Sequence, residues 1–432
     1  MLQRRTFIAA AAGLFLLALA PAQAADSASP NDTARFLAGM PPAAESPLAA
    51  LTRDGAWQHH AQVFNSAFER LDQRQLGRIR AWSASNLTTP HSTVFYFFSG
   101  PDFLYADAVY PNAKTYVLAG LEPVGTVPDL TTLRGSVAPN LSQLRASLSS
   151  ILSYSFFITH HMKHDLRAGR VNGTLPILYV FLARSGKTIQ EVTPVRLDEE
   201  GAVQPDVDSG RGNPTRGVKI VFSGSDGEAR TLYYFSTNLA DDGVRSSKFL
   251  KFCEALGPAD SFVKSASYLL HSGGFGKVRE FLLANSAVMV QDDSGIPLAY
   301  YDASKWDLRP FGHYLGPIGV FPGRYQAKYA VLFRKSRPID FGIGYRWRSH
   351  ESNVLIAVKT AGDSTAREST PEATANPAQG SETSASQDNS ASQTAEPAPA
   401  ASERQRRGPR RQSYRSPFDW FRAVAAPRYP YR

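Results

Sequence analysis

The side chains best suited to chemistry lie where apolar runs give way to polar turns. Ser99-Gly100-Pro101-Asp102 follows the run Thr93–Phe98, and Glu122 follows Thr115–Leu121. Ser236, Thr237 and Asn238 close a later run, and His271-Ser272-Gly273-Gly274 follows another. If the runs form one open α/β sheet, these residues share the rim at the carboxyl ends of the strands, where such sheets bind ligands. A serine or carboxylate beside a histidine is the raw material of acyl transfer and of general acid–base hydrolysis. Ser99, Asp102, Glu122 and His271 are therefore the candidate catalytic set, with Ser236 and Asn238 as candidate ligand contacts. The plainer assignment is structural. Ser99 and Asp102 then cap a helix, Glu122 is a solvated turn acid, and His271-Ser-Gly-Gly ends a helix. No G-x-S-x-G nucleophile elbow occurs at this turn.

Other clusters are weaker. His160 and His164 are four residues apart, the spacing of metal-ligating histidines on a helix, but position 161 is His where the metalloprotease motif needs Glu. The apolar stripe of the same segment lies nearly opposite them, so they read as surface histidines and no metal site is assigned. Gly273-Gly274-Phe275-Gly276-Lys277 lacks phosphate-loop spacing, with Val278 in place of the hydroxyl that holds magnesium. Ser261-Phe262-Val263-Lys264 matches S-x-x-K without its companion motifs. Trp306, Asp307 and His313 crowd together with Asp302, Arg309 and Tyr314. Rings and acids in one stretch suit a sugar cleft, or a loop anchored by its own aromatics. The single cysteine, Cys253, excludes an internal disulfide and any thiolate metal cluster held by this chain alone. Nothing in the sequence specifies a cofactor.

The elements that must position these residues follow from periodicity. Leu51 to Trp82 has helical spacing. Thr93–Phe98, a short helix over Phe103–Tyr110 and Thr115–Leu121 make a βαβ unit, hence a parallel pair. Leu141–Arg167 reads as a long helix and Pro176–Ala183 as a strand. Val218–Phe222 and Thr231–Ser236 form a hairpin around Gly224-Ser225-Asp226-Gly227. Helices are expected over Ser247–Leu256, Asp260–His271 and Lys277–Asn285. Strands are expected at Ala287–Gln291, Pro297–Tyr301, Tyr329–Phe333, Gly342–Trp347 and Asn353–Val358, with a structured loop over 306–326. The fold class is α/β: a mixed, partly parallel sheet covered by helices, a single large body with a disordered C-terminal extension.

The ends of the chain carry different signals. Residues 1–24 have an export-signal pattern: Arg4-Arg5, an apolar run from Phe7 to Ala20, and the small-x-small site Ala22-Gln23-Ala24. The paired arginines also fit twin-arginine export. The expected location is periplasmic or secreted, with a membrane anchor if the signal is retained. Residues 25–50 read as a flexible lead-in, 51–359 as the globular body, and 360–402 as a linker of Ala, Ser, Thr, Pro, Gln and Glu, too polar to condense. Residues 403–432 hold nine arginines against Glu403 and Asp419, interleaved with aromatics. The whole chain is +9, so much of its basicity sits in this tail. For an exported protein, the partner of Arg406, Arg407, Arg410, Arg411 and Trp420 is an anionic envelope surface, lipid headgroups or acidic polymer, rather than nucleic acid. The expectation is an envelope binding or scaffold module tethered by its tail; the alternative is an envelope hydrolase of a glycan or ester.

Overall fold

The computed structural model of the chain describes residues 27–126, 129–131, 137–157, 171–207 and 214–360. Residues 1–24, expected as an export signal, His160, His164, residues 361–402 of the expected linker and the basic tail lie outside the described residues. Helix α1 (Pro30–Leu37) precedes α2 (Gly55–Leu71), which runs through a widened turn at Asp72–Leu76 into α3 (Gly77–Asn86). Strand β1 (Thr93–Tyr96), α4 (Phe103–Val109) and β2 (Thr115–Gly120) then form the expected βαβ unit, with Thr93 in register with Thr115 and both strands parallel. Helices α5 (Ala138–Tyr154) and α6 (Leu175–Arg184) follow, then β3 (Thr188–Leu197), β4 (Val203–Pro205) and the antiparallel hairpin β5 (Arg216–Ser223) and β6 (Ala229–Ser236). Next come α7 (Asp241–Ser247), α8 (Phe249–Ala255), β7 (Ala259–Val263), α9 (Gly276–Asn285) and β8 (Ser286–Gln291). Strand β9 (Trp306–Gly312), α10 (Ala327–Leu332) and β10 (Asn353–Lys359) complete the body.

Among the described residues the ten strands make one sheet, ordered β4-β3-β5-β6-β2-β1-β7-β8-β10-β9. Its middle, β6-β2-β1-β7-β8, is parallel, and its two wings are antiparallel. A sheet of this kind is covered on both faces, and the alternation along its strands shows it. Val94, Tyr96, Tyr116 and Leu118 point into one core, with α1 through α6. Phe95, Val117 and Ala119 point into the other, with α7, α8 and α9. The crossover after β1 therefore passes over one face, and those after β6 and β7 pass over the other.

Several expected elements take another form. The lead-in over 25–50 contains α1, whose Phe36 and Leu37 are fully buried. Its terminal carbonyls accept from Trp57 Nε1 (3.1 Å, Phe36 O), from the His60 ring (2.8 Å, Leu37 O) and from Arg184 (Ala38 O). Within the expected helix Leu141–Arg167, α5 ends at Tyr154, where Ser155 is left-handed at φ 75°, and residues 158–167 lie outside the described residues. Pro176–Ala183 is not a strand but the centre of α6, where Leu175 to Ala183 are all buried. An apolar run shows the same pattern in a buried helix as in a buried strand. Asp260–His271 begins as strand β7, buried at every position, and then turns through Ser265, Ser267 and Tyr268, all at positive φ. Pro297–Tyr301 is a short 3₁₀ turn at Leu298–Tyr300, Tyr329–Phe333 belongs largely to α10, and Gly342–Trp347 is a loop with one isolated bridge, Ile343 to Arg346. The first third of the 306–326 loop is β9, an edge strand. Strand β3 carried only a weak alternation and is additional to the expected set.

Candidate functional site

A cleft open to solvent lies across the carboxyl ends of β6, β2, β1 and β7. Numbered among themselves in chain order, the parallel strands run 3-2-1-4-5, and the crossovers change face beside β1. That is the topological switch point at which doubly wound sheets leave a crevice for a ligand.

Its floor is an ion pair. Beyond β1, Phe98 takes φ 61° and Gly100 φ 56°, which swings the chain sharply into α4. Asp102 caps that helix, accepting from Tyr105 N at 3.2 Å through Oδ1. Its Oδ2 accepts from the Tyr96 hydroxyl at 2.8 Å and from Lys264 Nζ at 2.8 Å. Both ends of the pair are almost wholly buried, at 3% and 2% exposure. The Lys264 ammonium also donates to Ser155 O and lies 4.0 Å from the Tyr105 ring centroid. Burial, and next the Asp102 charge, push the Tyr96 phenol well above its usual range, so it stays a donor.

The second wall is glycine and glutamate. A Cβ at Gly120 would collide with Glu122 Oε2 and meet Gly100 Cα at 2.9 Å, so the absence of a side chain there lets the carboxylate fold back against the β1 turn. The Tyr234 hydroxyl donates to Glu122 O at 2.7 Å and fixes the main chain at this point. From β6 come Thr237 and Asn238; Thr237 is 7% exposed, and its hydroxyl has no hydrogen-bond partner among the described residues. From β7 come Ser265 and Ser267. They are pinned from beneath by Asp292, which accepts from Ser265 N at 3.0 Å, and by Tyr345, whose hydroxyl lies 2.9 Å from Ser267 Oγ. Phe98 and Phe275, 5.8 Å apart, supply an apolar side.

Ser99, Asp102, Glu122 and Asn238 thus line one cleft. Ser99 donates to Gly100 O at 2.9 Å. His271 is not among the lining residues. Its ring packs edge-on against Tyr268 at 5.2 Å, and burial, then Arg324, lowers its pKa to about 4. Ser236 pairs with Gly120 in the sheet, one residue short of the wall. Trp306, Asp307 and His313 lie apart, on and just after edge strand β9: Trp306 is buried against Tyr301, Asp307 pairs with Arg309 at 2.7 Å, and His313 is exposed. Ser261 is spent on Ser286, 2.6 Å away within the core. Lys264 and Tyr96 are the functional side chains that sequence reasoning missed. Lys264 directly follows β7, whose sequence Ala-Asp-Ser-Phe-Val carries two polar residues and hid the buried strand when that segment was placed on a helix. Comparison with protein-family models, curated proteins and solved structures finds no match for this chain.

Proposed function

We propose that this is an exported envelope protein that binds a small molecule in the switch-point cleft and is held to an anionic surface by its Arg/aromatic tail. The observation that carries the binding reading is the position of the cleft. It is a concave, partly aromatic space at the carboxyl ends of the central strands, with a few convergent polar groups, as ligand sites are. The hydrolase reading has less support. Ser99, Asp102 and Glu122 share the cleft, but no histidine lines it among the described residues, and the Ser99 hydroxyl is turned to a backbone carbonyl rather than to a base.

A thermal-shift screen of the mature chain against water-soluble metabolites tests this reading. At least one compound is expected to stabilise the fold saturably, by about 2.7 kcal/mol at a hundred times its Kd. Leu121→Arg, at an exposed position on the cleft wall, should weaken the effect without lowering the unliganded Tm. A broad library with no stabiliser would refute it. Turnover of ester or glycan probes that Ser99→Ala abolishes would give the site to the hydrolase reading instead.

A further inference from the structure

Resting on that reading of the cleft, we propose that its ligand is an uncharged molecule carrying a flat aromatic ring and a hydrogen-bonding group. The ring lies between phenyl groups supplied by the two helical layers, and the polar group meets the Thr237 hydroxyl. The charges of the wall are the first argument. Among the described lining residues these are Asp102, Lys264 and Glu122. Asp102 and Lys264 neutralise each other at 2.8 Å, and Asp102 also accepts from the Tyr96 hydroxyl and from Tyr105 N. Glu122 is engaged within the protein as well. A charged ligand group would therefore give up its hydration without gaining a counter-ion. Main-chain N–H groups at helix starts are another means of holding an anion, but acids already stand there. Asp102 caps α4. Helix α7 opens on Asp241 and Asp242, and Asp241 Oδ1 accepts from Lys277 N at 2.9 Å in the first turn of α9.

The rings are the second argument. Phe98 and Phe275 pack on the core of the α7–α9 face, Phe157 packs on the core of the α1–α6 face, and all three line the cleft. The cleft thus opens between the layers with phenyl groups from both. Phe156 and Tyr345, edge-on at 5.0 Å, add two further rings to its lining. Face and edge contacts to a flat ring add to what its buried area provides. Backbone strain collects on the same walls. Of the six non-glycine residues at positive φ among the described residues, Phe98, Ser265 and Ser267 line the cleft, Tyr268 follows Ser267, and Ser155 precedes Phe156. Left-handed backbone is rare for a residue as bulky as phenylalanine, and such strain clusters at ligand clamps, where it sets side chains in place before the ligand arrives.

Thr237 is the third argument. It directly follows β6 and is almost wholly buried, and its hydroxyl has no partner among the described residues. A buried polar group left unpaired in a cavity wall calls for a ligand or an ordered water. A hydroxyl both donates and accepts, so an amide, a carbonyl or a hydroxyl on the ligand would satisfy it.

The test is calorimetric titration of the mature full-length chain with indole-3-acetamide, its anionic counterpart indole-3-acetate, its cationic counterpart tryptamine, and the aliphatic cyclohexylacetamide. Indole-3-acetamide should bind saturably. Both charged indoles should bind at least about tenfold more weakly, because neither charge meets a counter-ion. The cyclohexyl compound should bind at least about threefold more weakly, the scale of one aromatic pair. Thr237→Val should weaken indole-3-acetamide by about threefold or more, the scale of one neutral hydrogen bond. It should leave the unliganded Tm unchanged, since that hydroxyl makes no bond to be lost. Phe275→Leu should narrow the gap between the indole and cyclohexyl probes, which a merely structural loss would leave alone. Failure of indole-3-acetamide to bind, or any of these differences falling short of its stated size, would overturn the proposal. So would indole-3-acetamide binding that Leu121→Arg leaves untouched, since the compound would then sit outside the cleft. If the metabolite screen finds a ligand that Leu121→Arg weakens, but that ligand is charged or has no aromatic ring, the cleft reading survives and only the ligand class falls.

Discussion

Asp102 makes four demands of its surroundings at once: it caps α4, accepts from Tyr96, pairs with Lys264, and does all of this out of water. Removing a partner from a buried ion pair is costly because the remaining charge has no solvent to turn to, typically about 3–5 kcal/mol. Lys264→Met should therefore destabilise the fold by that amount in urea denaturation. The double variant Asp102→Asn with Lys264→Met should recover most of the loss, because no stranded charge is left. A Lys264→Met loss under about 1 kcal/mol would mean that the pair is not the anchor of the cleft floor. This arrangement was half legible in the sequence. A Ser-Gly-Pro-Asp turn ahead of a short apolar helix announces a cap, and the cap is there. Its cation was hidden because Ser261, Phe262 and Lys264 read as part of a helix. Only the parallel pairing of β1 with β7 brings a residue 162 positions away onto the same carboxylate.

At the scale of elements, α1 shows how side chains from distant helices complete a helix end. His60 on α2 and Arg184 on α6 take its last carbonyls, and the His60 Nδ1 lies 3.3 Å from Arg145 of α5. The ring is thus neutral, with Nε2–H donating to Leu37 O and Nδ1 accepting from Arg145. Burial lowers its pKa from 6.5 to about 4, against the Leu37 bond and with the Arg145 and Arg184 charges. A histidine whose folded pKa is depressed leaves stability intact above 6.5 and costs stability as pH falls toward 4, by about 3 kcal/mol at that point. Asp260, raised by burial to about 6, and Asp292, raised by burial and next by the Asp293 charge, act in the opposite sense: their stabilisation is present at low pH and is lost as pH rises through their raised values. The wild-type curve therefore mixes opposing trends, and a variant is needed to isolate one. His60→Gln should be less stable than wild type at pH 7, and the gap should close by about 3 kcal/mol on going to pH 4. The imidazole should titrate near 4 by NMR. A gap that is constant with pH would place the depressed pKa elsewhere. None of this could be seen in an Ala, Pro and Ser-rich lead-in. The two large apolar residues of α1, Phe36 and Leu37, are too few to produce a periodic signal, and their burial depends on α2 and α6. The same ambiguity turned α6 itself from an expected strand into a helix, whereas β1, β2, β5, β6, β8 and β10 were legible because short β-branched and aromatic runs sat between strong turn residues.

For the whole molecule, the order of the sheet differs from the order of synthesis. The strand that closes the body, β10, lies between β8 and β9 rather than at an edge, antiparallel to both. It sends Val354 and Ile356 into one core and Ala357 into the other. Without it β9 has no neighbouring strand, since its only ladder is to β10, and Val290 and Met289 on β8 lose their cover. The described fold therefore needs the chain through Thr360, whose N–H still donates to Lys305 O at 2.9 Å. Ending the chain at 352 should abolish cooperative unfolding and soluble expression together. Ending it at 360 should leave the Tm within about 2 °C of the full chain, the shift expected from a change of well under 1 kcal/mol in a body this large. That same shortened protein separates the two parts of the functional proposal. It should retain whatever small molecule the cleft binds, because every described wall residue is present. The full chain should co-sediment with anionic vesicles at low salt and be released at high salt, and the shortened protein should not co-sediment. Vesicle binding that survives removal of the nine tail arginines would assign the surface contact to the body. A Tm that drops by 10 °C or more would show that residues beyond 360 contribute to the fold rather than only to its location.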